Sequence, residues 1–189
     1  MVSRKRRALA FLGLLGFAAL STAFCTGPRY LPFLQRHRAV IKSLRARMLG
    51  ASFVGEKGVV LQAHGNDCGA ASLKMILAAH GIGRSLSDLS RELGLGPDGI
   101  SLLNLRLEST KLGLPARSWS LGPRDLGRVP LPAIAFVGGD HFVVIERFVA
   151  PDVLEVDDPA LGKLRWPVRA FARAWSGETL VFDPAWTPL

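Results

Sequence analysis

The hydrophobic period of this chain changes once, and that change limits its fold more than any single motif. From Cys68 to His80 the apolar residues Ala71, Leu73, Ile76, Leu77 and Ala79 define one face of a helix, and Gly81 is a suitable terminator. Asp67 stands at the N-cap position, where its carboxylate is expected to bond the first free N–H groups. Ser85-Leu-Ser-Asp88 has the form of a capping box before a second helix, Leu86 to Leu93, and a third covers Ser101–Leu112. Beyond residue 131 the pattern becomes that of strands. Pro132–Gly138 and His141–Val149 are apolar, β-branched runs separated by Gly138-Gly139-Asp140, which predicts a hairpin. Val153–Val156 and Leu164–Trp166 read as further strands around the turn Asp158-Pro-Ala-Leu-Gly162. A short helix, Val168–Trp175, and a last strand, Thr179–Phe182, follow. Helices first and antiparallel strands after make an α+β fold.

The net charge of +9 would suggest a nucleic-acid partner if it were spread over the chain. It is not. Residues 1–50 hold ten Lys and Arg and no Asp or Glu, leaving fourteen basic against fifteen acidic groups in the remainder. A nearly neutral globular part argues against nucleic-acid binding. The basic segment has its own logic: Arg4-Lys-Arg-Arg7 precedes an uncharged stretch from Ala8 to Pro28, with an apolar heart at Ala8–Phe24. Residues 1–28 are therefore expected to be a signal peptide or a membrane anchor, with the rest of the chain exported or held on the outer side. Cys25 follows Phe24, a poor match to the small residue a lipoprotein site needs. Residues 29–54 form a basic linker, either an amphipathic helix at the membrane surface or a solvated tether. The folded domain is expected over 55–189.

Cys25 and Cys68, 43 positions apart, make no disulfide framework, so Cys68 is the lone thiol of that domain. It opens a helix, whose positive end favours thiolate. Gln62, six residues earlier, supplies an amide that can donate to an oxyanion together with the Cys68 backbone N–H. His141, at the start of a strand just past a glycine turn, is the candidate base. Asp158, before Pro159, is the candidate carboxylate that orients the imidazole, with Asp157 as a less favoured substitute. Each has an ordinary alternative: a strand-edge histidine, turn chemistry, a small buried thiol. His64 reads as a loop residue and His80 as a helix-end residue. No close-spaced ligand pairs suggest a metal, no phosphate loop is present, and no cofactor is expected. The tryptophans at 119, 166, 175 and 186 read as packing residues.

Gln62-x5-Cys68-Gly69, His141-Phe-Val-Val, Asp158-Pro-Ala-x-Gly162 and Trp175-Ser-Gly177 resemble, in that order, the bacteriocin-processing, double-glycine cysteine peptidases, a papain-like family. The resemblance runs from about Val59 to Phe182. It implies a two-lobed domain, helical then sheet, with Cys68 as nucleophile, His141 as base, Asp158 as orienting carboxylate and Gln62 in the oxyanion hole. It also implies a peptide or protein substrate cut through a thioester, after Gly-Gly in leader peptides. In better-known members the domain is fused to an ATP-driven exporter and faces the cytoplasm. These residues hold neither ATPase nor transporter bundle, so any exporter would be a separate partner, and the N-terminal segment points the domain outward. Two other readings share the scaffold: a peptide-binding module without chemistry, and an amidase or acyltransferase acting on cell-wall peptides.

Overall fold

The structure, a computed structural model, describes residues 31–188, with side chains from residue 37 onward. The expected signal or anchor at 1–28 and Cys25 lie outside the described residues, and among those described no helix is long and apolar enough to cross a membrane. Among the described residues, 42–188 belong to one compact unit.

The basic stretch after residue 29 is helical: α1 spans Leu31–Met48. Its end is fixed by a Schellman motif, in which Ala51 N–H donates to Ala46 C=O (2.8 Å) and Gly50 N–H to Arg47 C=O (2.9 Å). Gly50 takes φ +78°, and a Cβ there would stand 3.0 Å from that of Ala170. Ala46 is fully buried, and the strand β1, Ser52–Gly55, follows as an edge of the sheet. The folded body therefore reaches upstream of residue 55, into what the sequence presented as linker.

Three helices come next: α2 (Cys68–Ala79), α3 (Leu86–Glu92) and α4 (Leu102–Lys111). Ser85 and Ser101 cap α3 and α4, each accepting from a backbone N–H three residues on. Asp67 corrects one expectation. It occupies the N-cap position of α2 but makes no side-chain bond to the helix. Its buried carboxylate instead accepts from the N–H groups of Ala63 (3.2 Å) and His64 (3.1 Å), bracing the preceding loop.

The remaining strands are β2 (Arg117–Ser120), β3 (Ala133–Val137), β4 (His141–Ala150), β5 (Val153–Asp158), β6 (Gly162–Pro167) and β7 (Trp175–Val181), with α5 (Val168–Ala174) before β7. They form one sheet of order β1-β6-β5-β4-β3-β7-β2, with each pair antiparallel. The expected hairpin at 138–140 is present, and Trp175 opens β7 instead of ending the helix. The middle strands are apolar on both faces because both faces are covered. Ile134, Phe142, Val144 and Leu180 pack with Leu73, Ile76 and Leu77 of α2. Ala133, Ala135, Val143, Ile145 and Val181 face a second core with Ala46, Trp166 and Phe171. The lobes meet where α2 lies on β4, with Ser72 Oγ donating to Phe142 C=O (3.3 Å). Gly69 makes this approach close, since a Cβ there would stand 3.3 Å from the Phe142 ring.

Candidate active site

Two strand ends and one helix start converge at one end of the sheet. Antiparallel pairing of β4 with β5 sets the first residue of β4, His141, near the last of β5, Asp158. Val144 pairs with Asp157, so parity sends Asp158 to the face shared by His141 and Asp157 to the other. His141 Nε2 lies 2.9 Å from Asp158 Oδ1, while Asp157 is engaged by Lys163 Nζ at 2.5 Å. Asp158, and not Asp157, is therefore the carboxylate beside His141.

Asp158 is itself held rigidly. Its Oδ1 also accepts from the N–H groups of Ala160 (2.7 Å) and Leu161 (3.1 Å), so the turn that follows β5 closes around the carboxylate. Gly162 completes the turn at φ +113°, and a Cβ there would meet Gly55 C=O at 2.5 Å. Pro159 C=O accepts from Gln62 N–H (2.9 Å), which ties Gln62 to the same turn.

With Nε2 committed to Asp158, the other imidazole nitrogen is left for Cys68, with which His141 shares a hydrogen bond. Burial by itself would push the Cys68 thiol up. The hydrogen bond from His141, the backbone at Phe142, the His141 charge and the backbone at Gly69 outweigh it and hold the thiol below its ordinary value of 9.0. Burial would likewise lower His141, but the hydrogen bonds and negative charges of Asp158 and Cys68 push it up to about 10. Both shifts act in one direction, toward thiolate beside imidazolium. The Asp67 side chain, turned away from α2, keeps a like charge from capping the helix beneath this thiolate and leaves the first helical N–H groups to other acceptors.

Gln62 uses Nε2 to donate to His64 C=O (2.8 Å), which anchors the amide and leaves its second N–H for another acceptor. Its Oε1 is buried and accepts no hydrogen bond among the described residues. Asn66 was not singled out by the sequence. Its Nδ2 donates to Gly96 C=O (2.7 Å) and so joins the loop before Cys68 to the loop before α4. His64, exposed beside Asp67, and His80, bonded to Ile76 C=O, take no part in the cluster. Among the described residues no group of three or more His, Cys, Asp or Glu could hold a metal.

Two open cavities flank the pair. One, of about 630 Å³, is lined by Cys68, Asn66, Gly99, Phe136 and Phe142; the other, of about 410 Å³, by Gln62, His141, Asp158 and Leu161. The two share Gly65 and Asp140 as lining residues, so they adjoin beside the thiol and the imidazole.

The profile of the Peptidase C39 family matches residues 56–187. The chain belongs to that family. Over 134 residues this C39 chain is 31% identical to the lactococcin-G-processing and transport ATP-binding protein LagD of Lactococcus lactis subsp. lactis, covering 68% of this chain and 19% of LagD. Over 122 residues it is 32% identical to the probable functional amyloid protease FapD of Pseudomonas aeruginosa, covering 58% of this chain and 53% of FapD. It thus spans less than two thirds of either curated relative. Among solved structures, a double glycine motif protease from an AMS/PCAT transporter, in complex with the leader peptide, superposes with a TM-score of 0.64 at 29% identity. That match covers 71% of this chain and 99% of the other. The peptidase domain of Streptococcus ComA shares the fold, with a TM-score of 0.60 at 24% identity over 65% of this chain and 94% of that one. The C39 fold is the two-lobed α+β arrangement that the change of period implied, and the chain is a peptidase.

Proposed function

We propose that this peptidase is a cysteine endopeptidase that cuts leader-type peptides after Gly-Gly, with Cys68 as nucleophile. The observation that carries the reading is the series Cys68–His141–Asp158, whose opposed shifts act toward thiolate beside imidazolium. The Cys68 thiolate attacks the carbonyl carbon of the scissile amide, forming a C–S bond and moving the carbonyl electron pair to oxygen. That oxyanion accepts from the free Gln62 side-chain N–H and the Cys68 backbone N–H. Collapse breaks the C–N bond, and the amine leaves with the proton of His141. Neutral His141 then takes a proton from water, whose oxygen attacks the thioester. Collapse of the second oxyanion expels the thiolate beside a protonated His141, restoring the pair and releasing the acid. Asp158 holds the imidazole in one orientation throughout.

Substrate choice is supported by LagD, named for lactococcin-G processing, and by the AMS/PCAT double glycine motif protease, whose structure holds the leader peptide. The 1–28 segment, charged and then apolar, supports an exported or membrane-anchored protein.

The test is alkylation by iodoacetamide, followed by cleavage of peptides bearing Gly-Gly ahead of the cut. Wild-type Cys68 should alkylate at pH 6–7 much faster than an ordinary thiol, and His141→Ala should slow it sharply. Cys68→Ala should remove both labelling and cleavage. Rapid labelling that survives His141→Ala would break the proposed pair.

A further inference from the structure

The two cavities are not equivalent in the chemistry just described. The acyl half of a substrate stays on sulfur, so it must occupy the cavity lined by Cys68. The leaving amine takes its proton from His141, so the residues after the cut must run along the cavity lined by His141 and Gln62. Part of that second cavity comes from Arg45, Met48 and Leu49 at the end of α1. These residues precede the family-matched span of 56–187.

The wall is firmly built. Ala46 is 0% exposed in the core, Trp166 Nε1 donates to Leu49 C=O (3.1 Å), and Lys42 pairs with Glu56 (2.7 Å). The Schellman motif at Gly50 fixes the exit of the chain. Yet Met48 is 86% exposed, and Arg45 is exposed with no ion pair among the described residues. The turn is thus held in place by the core while two long side chains at its surface border the cleft.

We propose that the end of α1 is a leaving-side subsite: Met48, Leu49 and Leu161 receive an aliphatic side chain directly after the cut, and Arg45 receives a carboxylate on the residue beyond. Asp140 also lines the cavity, so the preference is for an acid at Arg45 and not for negative charge along the whole leaving strand. The inference rests on the peptidase reading above and adds to it a specificity for the residues after the cut.

The full-length protein is tested with quenched peptides identical through Gly-Gly and continuing as Leu-Glu, Leu-Lys or Ser-Glu. Wild type should show a kcat/KM for Leu-Glu about fivefold above that for Leu-Lys, the scale of a partly exposed ion pair. Arg45→Glu should invert that ratio, and Met48→Glu should erase the preference for Leu-Glu over Ser-Glu. Both positions are exposed, so the variants should fold. Iodoacetamide alkylation of Cys68 is read in parallel. Activated Cys68 with the same leaving-side ratios in wild type and variants overturns the subsite alone. A wild-type Cys68 no more reactive than a free thiol overturns the peptidase reading and the subsite with it.

Discussion

Asp158→Asn isolates the charge of the carboxylate from its shape. The amide oxygen of Asn can still accept from Ala160 and Leu161 N–H, so the turn around residue 158 should hold. What disappears is the negative charge 2.9 Å from His141 Nε2, one of the groups that lift this imidazole to about 10. A hydrogen bond to a charged partner contributes about 1.5–3 kcal/mol, which corresponds to roughly one to two pKa units. The active pair needs a protonated His141, so the alkaline limb of kcat/KM reports this group in the free enzyme. In wild type that limb should lie near 10; in Asp158→Asn it should fall to roughly 8–9. Loss of about 1.4 kcal/mol of orientation and charge would lower the optimum rate on the order of tenfold. The assay is cleavage of a Gly-Gly peptide from pH 5 to 11, with urea unfolding at pH 7 to confirm that the turn is intact. Asp158→Ala, which also strips the acceptor from two backbone N–H groups, should cost an additional 1–3 kcal/mol or so of stability. An alkaline limb unmoved in Asp158→Asn would show that this carboxylate does not hold the proton on His141, and the mechanism would need another orienting group.

Further outcomes follow from the same geometry. Gln62→Ala removes an oxyanion donor and should lower kcat about 10²–10³-fold, while Cys68 alkylation proceeds nearly as in wild type; equal losses in both would place Gln62 in thiolate formation instead. Gly162→Ala forces a Cβ against Gly55 C=O at φ +113°, so chemical denaturation should reveal a loss of about 1–3 kcal/mol, with reduced cleavage because the Asp158 turn shifts. In Cys68→Ala, His141 remains raised by Asp158 above its unfolded value near 6.5. Its contribution to stability is then fully present below pH 6.5 and lost as pH rises through the folded value, which urea titration at several pH values would detect.

The sequence exposed the elements that carry long periodic patterns and hid those defined by their neighbours. α2 and the hairpin of β3 and β4 were legible because eleven or more residues repeat a period or flank a glycine turn. β1 and β2 were not: Ser52-Phe-Val-Gly55 and Arg117-Ser-Trp-Ser120 are four-residue edges, mostly exposed, and only pairing with β6 and β7 makes them strands. Asp67 looked like a cap because local sequence cannot show that the Ala63 and His64 N–H groups compete for its carboxylate. The choice between Asp157 and Asp158 turned on strand parity, which is fixed once β5 is known to run to residue 158. The place of α1 was least legible, since burial of Ala46 depends on Trp166 and Ala170, more than a hundred residues downstream.

Cys68 and His141 belong to different lobes, and they meet only because Gly69 and Ser72 let α2 settle onto β4. A chain whose helical lobe has not yet docked keeps an ordinary, sluggish thiol. On the proposed mechanism, hydrolysis therefore depends on that docking, and local detachment of α2 would switch it off. Under that mechanism the seating of α2 on β4 is a built-in safeguard: an undocked copy would be a poor nucleophile toward the peptides around it.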